Sequence, residues 1–371
     1  MSYHFSSRNT SKGFTLVEIL VAMLIGLIAM LVMFQVFSAS EERRRTTTGA
    51  GDTISVGNIA LVNLQNQILQ GGFGFISSGA NMQLSILGCR LELPNAMVLP
   101  QLAPVIINES TAIVPAGDPD TDTLLIVHGA GVGSQEGVFL MTSGNLQNPT
   151  PGGEAIPSYT VMGTHTIRMD DLVIATSPNP HPNCQATPLV TSQVTGVEAQ
   201  FITVNRGGPV LSGVLYNLGQ RPGTPGLSAG HIPSIRAYRV LNSTLMECDL
   251  MQGDCTQENN WISIAPDIVS LRAEYRLQDG TYTRAIPTTS AAQNRACGYA
   301  RIQGVRLALV ARNPQKARTA VTVAAPRWSG QEPINLTHIP DWDFYRYTTF
   351  ETLISIRNIN WMGVLDATFC S

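Results

Sequence analysis

Between Phe14 and Phe37 the chain carries one charge, Glu18, in an otherwise apolar run, F-T-L-V-E-I-L-V-A-M-L-I-G-L-I-A-M-L-V-M-F-Q-V-F. A basic residue and a small one, Lys12 and Gly13, stand just before it. As a helix rising about 1.5 Å per residue, this run spans the ~30 Å hydrocarbon core of a bilayer. A carboxylate in such a helix costs roughly 2.5–3.5 kcal/mol at the bilayer centre, so Glu18 needs a reason to be there. The ordinary alternative is a signal anchor whose Glu18 stays hydrated near the interface.

The hexamer Gly13-Phe14-Thr15-Leu16-Val17-Glu18 closely resembles the processing motif of type IV prepilins. That family has Gly as the last leader residue, Phe as the first mature residue and Glu five residues into the mature chain. The resemblance implies cleavage after Gly13 by a membrane aspartyl peptidase and methylation of the new amine on Phe14. It also implies a role for Glu18 as an assembly contact. Ordinary signal peptides are cut after their apolar segment; here the cut precedes it, and the apolar helix stays on the mature protein.

The full chain of 371 residues leaves room for a large core beyond that helix. Charged residues make up 13%, against about 25% in typical soluble proteins. With 33 Gly and 22 Pro, turns are abundant, and the composition suits a β-rich extracytoplasmic protein. The net charge is −3, and removing Arg8 and Lys12 with the leader makes it −5. Nothing global points to nucleic acid. Cys89, Cys184, Cys248, Cys255, Cys297 and Cys370 all follow the apolar helix and contain no C-x-x-C. An even number beyond a membrane segment points to disulfides in an oxidising compartment. Turn chemistry between Cys248 and Cys255 singles out that pair, and the other pairings stay open.

Along the chain, residues 1–13 are a polar leader. Arg8 and Lys12 favour a cytoplasmic location for it, while Arg43, Arg44 and Arg45 on the far side weaken the charge argument. Ile54, Leu61, Leu64 and Ile68 at helical spacing extend the helix to Gln70, with Gly71-Gly72 as a stop. The expected helix covers 14–70, roughly 85 Å long, with 14–37 in the membrane. Thr46–Gly51 is a poor helical stretch and is expected to bend or melt. From 71 to 371 the pattern turns to strands. Val269, Leu271, Ala273, Tyr275 and Leu277 alternate with Ser270, Arg272, Glu274 and Arg276, which predicts a half-buried strand with a polar outer face. Val305, Leu307, Leu309 and Ala311 are spaced likewise. Shorter candidates are Leu124–Val127, Val138–Met141, Leu172–Ala175, Ile235–Leu241 and Leu353–Ile356. Segments 142–160, 177–189, 205–234 and 279–300 read as loops.

The succession Ile264–Leu277, Val305–Asn313 and Arg346–Asn358, with Tyr238 and Trp261 ahead of it, looks like the PilW-type minor pilins. These are related to the large minor pseudopilins of type II secretion. The resemblance implies an α+β, pilin-like fold: a long N-terminal helix packed on an antiparallel β-rich head. It implies a low-abundance structural subunit that helps start pilus assembly and sits at or near the tip. Such a subunit is no enzyme, carries no cofactor and is itself the substrate of the prepilin peptidase and N-methyltransferase. Its partners would be other minor pilins and the major pilin through the N-terminal helices, the inner-membrane assembly platform and a tip adhesin. It would wait in the bacterial inner membrane with its head in the periplasm, then enter the surface fibre. Alternatives are a type II secretion pseudopilin, a tip adhesin or DNA-uptake pilin, and a membrane-anchored enzyme.

Motifs that would support an enzyme or metal site lack their context. Gly226-Leu227-Ser228-Ala229-Gly230 fits G-x-S-x-G, but prolines surround it where a strand and a helix are needed. Gly129-Ala130-Gly131-Val132-Gly133 has Ser134 where a dinucleotide fingerprint needs Gly. Asp118, Asp120 and Asp122 could offer oxygens to calcium, but Thr123 and Gly129 occupy the places of the EF-hand Gly and Glu. A solvated turn is the default there. The six His residues (4, 128, 165, 181, 231 and 338) show no ligand spacing. Trp328, Trp342, Trp361, Tyr345 and Tyr347 could line a binding surface, though strand packing is the commoner use of such residues.

Overall fold

The computed structural model describes residues 13–76, 85–131, 137–141, 157–178, 180, 183–207, 212–223, 231–287 and 295–361. Ser228 of the G-x-S-x-G stretch, Val132 and Gly133, His4 and His181, Cys370 and the leader before Gly13 lie outside these residues. The fold is α+β, a long N-terminal helix followed by a mostly antiparallel β-rich head. The chain divides into two compact units, one ending at Asp52 and one beginning at Thr53.

Helix α1 covers Leu16–Gln70. The helix runs unbroken through Thr46–Gly51, where the sequence predicted a bend. Gly and Thr each cost at most about 1 kcal/mol against Ala, and helix formation is cooperative on both sides of them. In the second unit Ala60, Leu64 and Ile68, four residues apart, are fully buried in the main core. The helix ends at Gly71-Gly72. Gly72 takes φ +83°, and the side-chain amide of Asn358 donates to the carbonyls of Gln70 (3.1 Å) and Gly71 (2.9 Å). That remote side chain satisfies acceptors the last turn cannot.

The strands follow in order: β1 Leu91–Glu92, β2 Val98–Leu99, β3 Val105–Ile107, β4 Leu124–His128, β5 Val138–Leu140, β6 Ser158–Thr160 and β7 Asp171–Thr176. After the short helix α2 (Asn183–Ala186) come β8 Leu189–Val197, β9 Phe201–Val204, β10 Gly213–Gln220, β11 Ser234–Leu241, β12 Thr244–Asp249, β13 Ile262–Pro266, β14 Ile268–Leu277 and β15 Tyr282–Thr283. Helix α3 (Arg295–Ala300), β16 Ile302–Arg312, β17 Tyr347–Ser355 and α4 (Arg357–Trp361) complete the described chain. They form three sheets, ordered β2-β1-β8-β7-β10-β5 with β9 on β8 and β6 on β9, then β13-β12-β11-β4-β3, then β15-β14-β16-β17. Among the described residues every strand pairing is antiparallel except β1 with β8.

Several expectations need correction: segments read as loops hold short regular elements, β6 within 142–160, α2 within 177–189, and β15 and α3 within 279–300, and two larger differences follow. Within 205–234, read as loop, lies β10, whose Val214, Leu215 and Tyr216 are buried on both faces between β5 and β7. Flanking glycine and proline mask it in composition. The polar face of β14 is not a solvent face: Ser270, Arg272 and Glu274 are buried with the apolar side. Residues 313–341, largely without regular structure, cover it. Ile334, Leu336 and Ile339 pack there on Val310 and Val269, with Trp328, Trp342 and Tyr347 against them. A bulge between Ile268 and Ser270 turns Val269 to this side, away from Leu271. Arg272 donates to the Pro333 carbonyl (2.8 Å), and Glu274 accepts from the Gln331 amide (2.6 Å) and pairs with Arg306 (3.6 Å). The alternation was real, but its polar half meets peptide groups and opposite charges instead of water.

Cys89–Cys184 closes a loop of 95 residues between the lead-in to β1 and α2, and Cys248–Cys255 staples the turn after β12. Constraint of the unfolded chain by a loop as long as the first is worth about 4–5 kcal/mol in the entropy model. Cys297 is disulfide-bonded as well. In the stapled turn Asp249 accepts from the Met251 amide (2.9 Å) and the Trp261 indole donates to the Cys255 carbonyl (2.8 Å).

Candidate functional site

The N-terminal stretch is built for contact with other apolar matter. Gly13, Phe14 and Thr15 precede the helix in non-helical backbone and are exposed. The Thr15 hydroxyl accepts from the Glu18 amide (3.2 Å), and the Ile19 amide donates to the Thr15 carbonyl (3.2 Å). Thr15 is therefore the N-cap of α1. Thr-x-x-Glu is the sequence signature of a capping box, a local signal the prepilin reading passed over. The cap starts the helix two residues after Phe14 and puts Glu18 in its first turn, where the helix dipole favours a carboxylate. Among the described residues Glu18 forms no ion pair.

Leu16–Ser38 is long and apolar enough to cross a membrane, with a mean hydropathy of 2.8, and none of it is buried within the chain. All eighteen large apolar side chains from Phe14 to Phe37 are exposed, Ile19 the least at 48%. A helix apolar all round has no face for water. Burial of each such side chain is worth about 1.5–3 kcal/mol, so covering this surface with lipid or neighbouring helices is worth tens of kcal/mol.

The other candidate residues are structural. Asp118 accepts from the Asn242 and Ser243 amides, both at 2.9 Å, bracing the β11–β12 turn. Asp120 accepts from Asn335 (2.7 Å). Asp122 is buried and serves β14, and no group of acids or histidines suited to a metal occurs among the described residues. Gly129 and Gly131 follow β4 where backbones nearly touch. The Ala130 amide donates to the Leu218 carbonyl (2.6 Å), and a Cβ on Gly131 would lie 2.4 Å from the Asn217 carbonyl oxygen. Close packing explains those glycines without a nucleotide.

One histidine should make the head sensitive to acid. His128 ends β4 with its ring nitrogens 3.0 Å from the Gly129 carbonyl and 3.3 Å from the Gln67 side-chain oxygen on α1. Burial, with the Arg236 charge adding to it and the Gly129 contact opposing, pushes its pKa below the ordinary 6.5. The unfolded chain then takes up this proton first as pH falls. The contribution to stability is whole above 6.5 and is lost as pH drops towards the folded value. Burial raises the Glu109, Asp171 and Asp249 carboxyls, and those contributions have the opposite sign. In urea titrations at about pH 7.5 and about pH 5.5, His128→Gln should lose less stability than the parent chain. Equal losses would remove His128 as the cause.

Residues 8–34 match the family model of the prokaryotic N-terminal methylation motif, and residues 235–358 match that of Type IV Pilus-assembly protein W. The second match begins in β11, includes all of β12 to β17 and ends in α4. No curated protein and no solved structure matches the chain. With the methylation motif leading directly into a bare apolar helix, and the pilus-assembly segment supplying β11 to β13 of the second sheet and the whole of the third, the two matches support a PilW-type, prepilin-like protein of type IV pilus assembly.

Proposed function

We propose that this protein is a minor type IV pilin. Prepilin peptidase cuts after Gly13, and the new amine of Phe14 is methylated. The helix from Phe14 to Phe37 then holds the subunit in the inner membrane with residues 71–371 in the periplasm. From there it is drawn into a fibre, packing against the N-terminal helices of other minor pilins and the major pilin. Its place is at or near the tip, because a head of about 300 residues would be crowded if repeated along a shaft whose spacing is set by helix packing. The observation that carries the reading is the wholly exposed helix Leu16–Ser38 with Gly13-Phe14 accessible at its start. Chemistry in the head is not required; the family is structural.

Mass spectrometry of the membrane fraction tests the processing. The expected N-terminus is N-methyl-Phe14, and an intact leader or a cut beyond the apolar run would overturn the proposal. Deleting the gene tests the machine. Loss of surface fibres and twitching supports the pilus, whereas loss of enzyme secretion with fibres intact would assign the chain to type II secretion, whose pseudopilins share every N-terminal feature named here.

A further inference from the structure

Among the described residues the third sheet ends in an open edge. β17 is nine residues long and pairs on one side with β16 in unbroken register, Gly304 with Ser355 through Arg312 with Tyr347. The Ile356 amide donates to Gln303 and the Asn313 amide to Arg346, so the even-numbered residues of β17 face the ladder. The amides and carbonyls of Thr349, Glu351 and Leu353 therefore point away from the sheet, and they meet no partner among the described residues. Other sheet margins end in strands of two to five residues: β2, β3, β5, β6, β13 and β15.

The opposite margin of the same sheet is closed. There the Asp122 amide donates to the Leu271 carbonyl (2.8 Å), its carboxylate accepts from the Ala273 amide (2.9 Å), and β15 pairs with Tyr275 and Arg276. Apart from the charge of Glu351, β17 lacks the devices that keep edges apart: its sequence Y-T-T-F-E-T-L-I-S has no proline, lysine or glycine and no bulge. Leu353 is 48% exposed beside the open groups. Phe350 anchors the strand from the other face, its ring filling the space at Gly57 of α1.

We propose that the free edge of β17 is a strand-addition site, which takes an extended segment from the head of a different pilus subunit. The proposal rests on the pilus-assembly reading above. An open edge recognises extended backbone, with the main chain supplying affinity and alternate side chains supplying specificity. Glu351, the only charge on the strand, accepts from the Ser329 amide and hydroxyl (both 3.1 Å) through one carboxylate oxygen, and its negative charge favours a basic or hydroxyl side chain opposite it. It opposes a second copy of this chain in the register centred on Glu351, which would set two carboxylates face to face. The edge is the last strand of the segment matched to the pilus-assembly family, where contacts with other pilins are to be sought.

The test uses the full chain in piliated cells, with a photo-reactive phenylalanine analogue in place of Leu353. Illumination should give a cross-link to a peptide of another subunit that has its own N-terminal methylation motif. Adding Thr349→Pro, which removes an outward amide that the ladder does not use, should lower the yield about tenfold while leaving protease resistance of the head unchanged. A product with a second copy of this chain, with its own residues 362–371, or no product while the chain is present in sheared fibres, overturns this inference alone. Absence of the chain from fibres overturns the assembly reading with it.

Discussion

Asp122→Ala should destabilise the head by roughly 3–5 kcal/mol, the range for breaking a buried ion pair from one side. Asp122 is 2% exposed and joins two sheets. One carboxylate oxygen accepts from the Asn108 side chain (2.9 Å), contacts Arg284 and lies 3.8 Å from Arg272; the other accepts from the Ala273 amide of β14 (2.9 Å). Removing it orphans a buried amide on the β14 edge and leaves Arg272, 7% exposed, without its acid. Arg284 keeps Glu332 at 3.6 Å, so the loss falls mainly on Arg272 and the edge. Asp122→Asn keeps the shape and an oxygen for Ala273 but drops the charge, and should lie between parent and alanine. Urea titration of the detergent-solubilised chain at neutral pH reads both. A loss below about 1 kcal/mol for Asp122→Ala would mean that the arginines are compensated elsewhere.

The same residue shows how far the sequence can be read. Asp118, Asp120 and Asp122 are identical side chains at alternate positions, and only the tertiary fold distinguishes a turn brace, a surface contact and a buried ion partner. The helix was legible because its signals are local: an uninterrupted apolar run, then Leu64 and Ile68 at helical spacing, then two glycines. Its cap at Thr15 was local too and was passed over. β14 was legible as a strand, yet its burial was not, because the cover over Arg272 and Glu274 is an irregular segment whose apolar residues, such as Ile334, Leu336 and Ile339, follow no single period. β10 hid for a related reason: both its faces are buried, so it does not alternate. The edge of β17 could not have been found without the pairing order. Nothing in Y-T-T-F-E-T-L-I-S separates an edge from a central strand.

Glu18→Ala should leave cleavage after Gly13 intact and still keep the subunit out of the fibre. The proposed cut site lies about one turn from Glu18, and Gly13 and Phe14 are exposed in non-helical backbone. In a packed bundle of apolar helices, however, the Glu18 carboxylate would have little water and would need a compensating cation. On the proposed processing, the amine of Phe14, still protonatable after one methylation, would be the group the chain supplies. Within one subunit the two stand near the start of α1, where the dipole already favours negative charge. Between subunits the same pair would fix the register of an incoming helix against its neighbour. Losing one member of a desolvated pair costs a few kcal/mol, so incorporation should fall at least about tenfold, with processed protein accumulating in the inner membrane. The cap must be separated from the charge, since Thr15 holds the Glu18 amide. Thr15→Val removes the cap at a cost of about 1 kcal/mol and should reduce incorporation far less. Glu18→Gln keeps the length and the hydrogen bonding but not the charge, and should behave like the alanine variant if the ion pair sets the register. Fractionation of cells and a count of sheared fibres reads all three. Glu18→Ala recovered in fibres at the parent level would show that the register is set by apolar packing along Leu16–Ser38 alone.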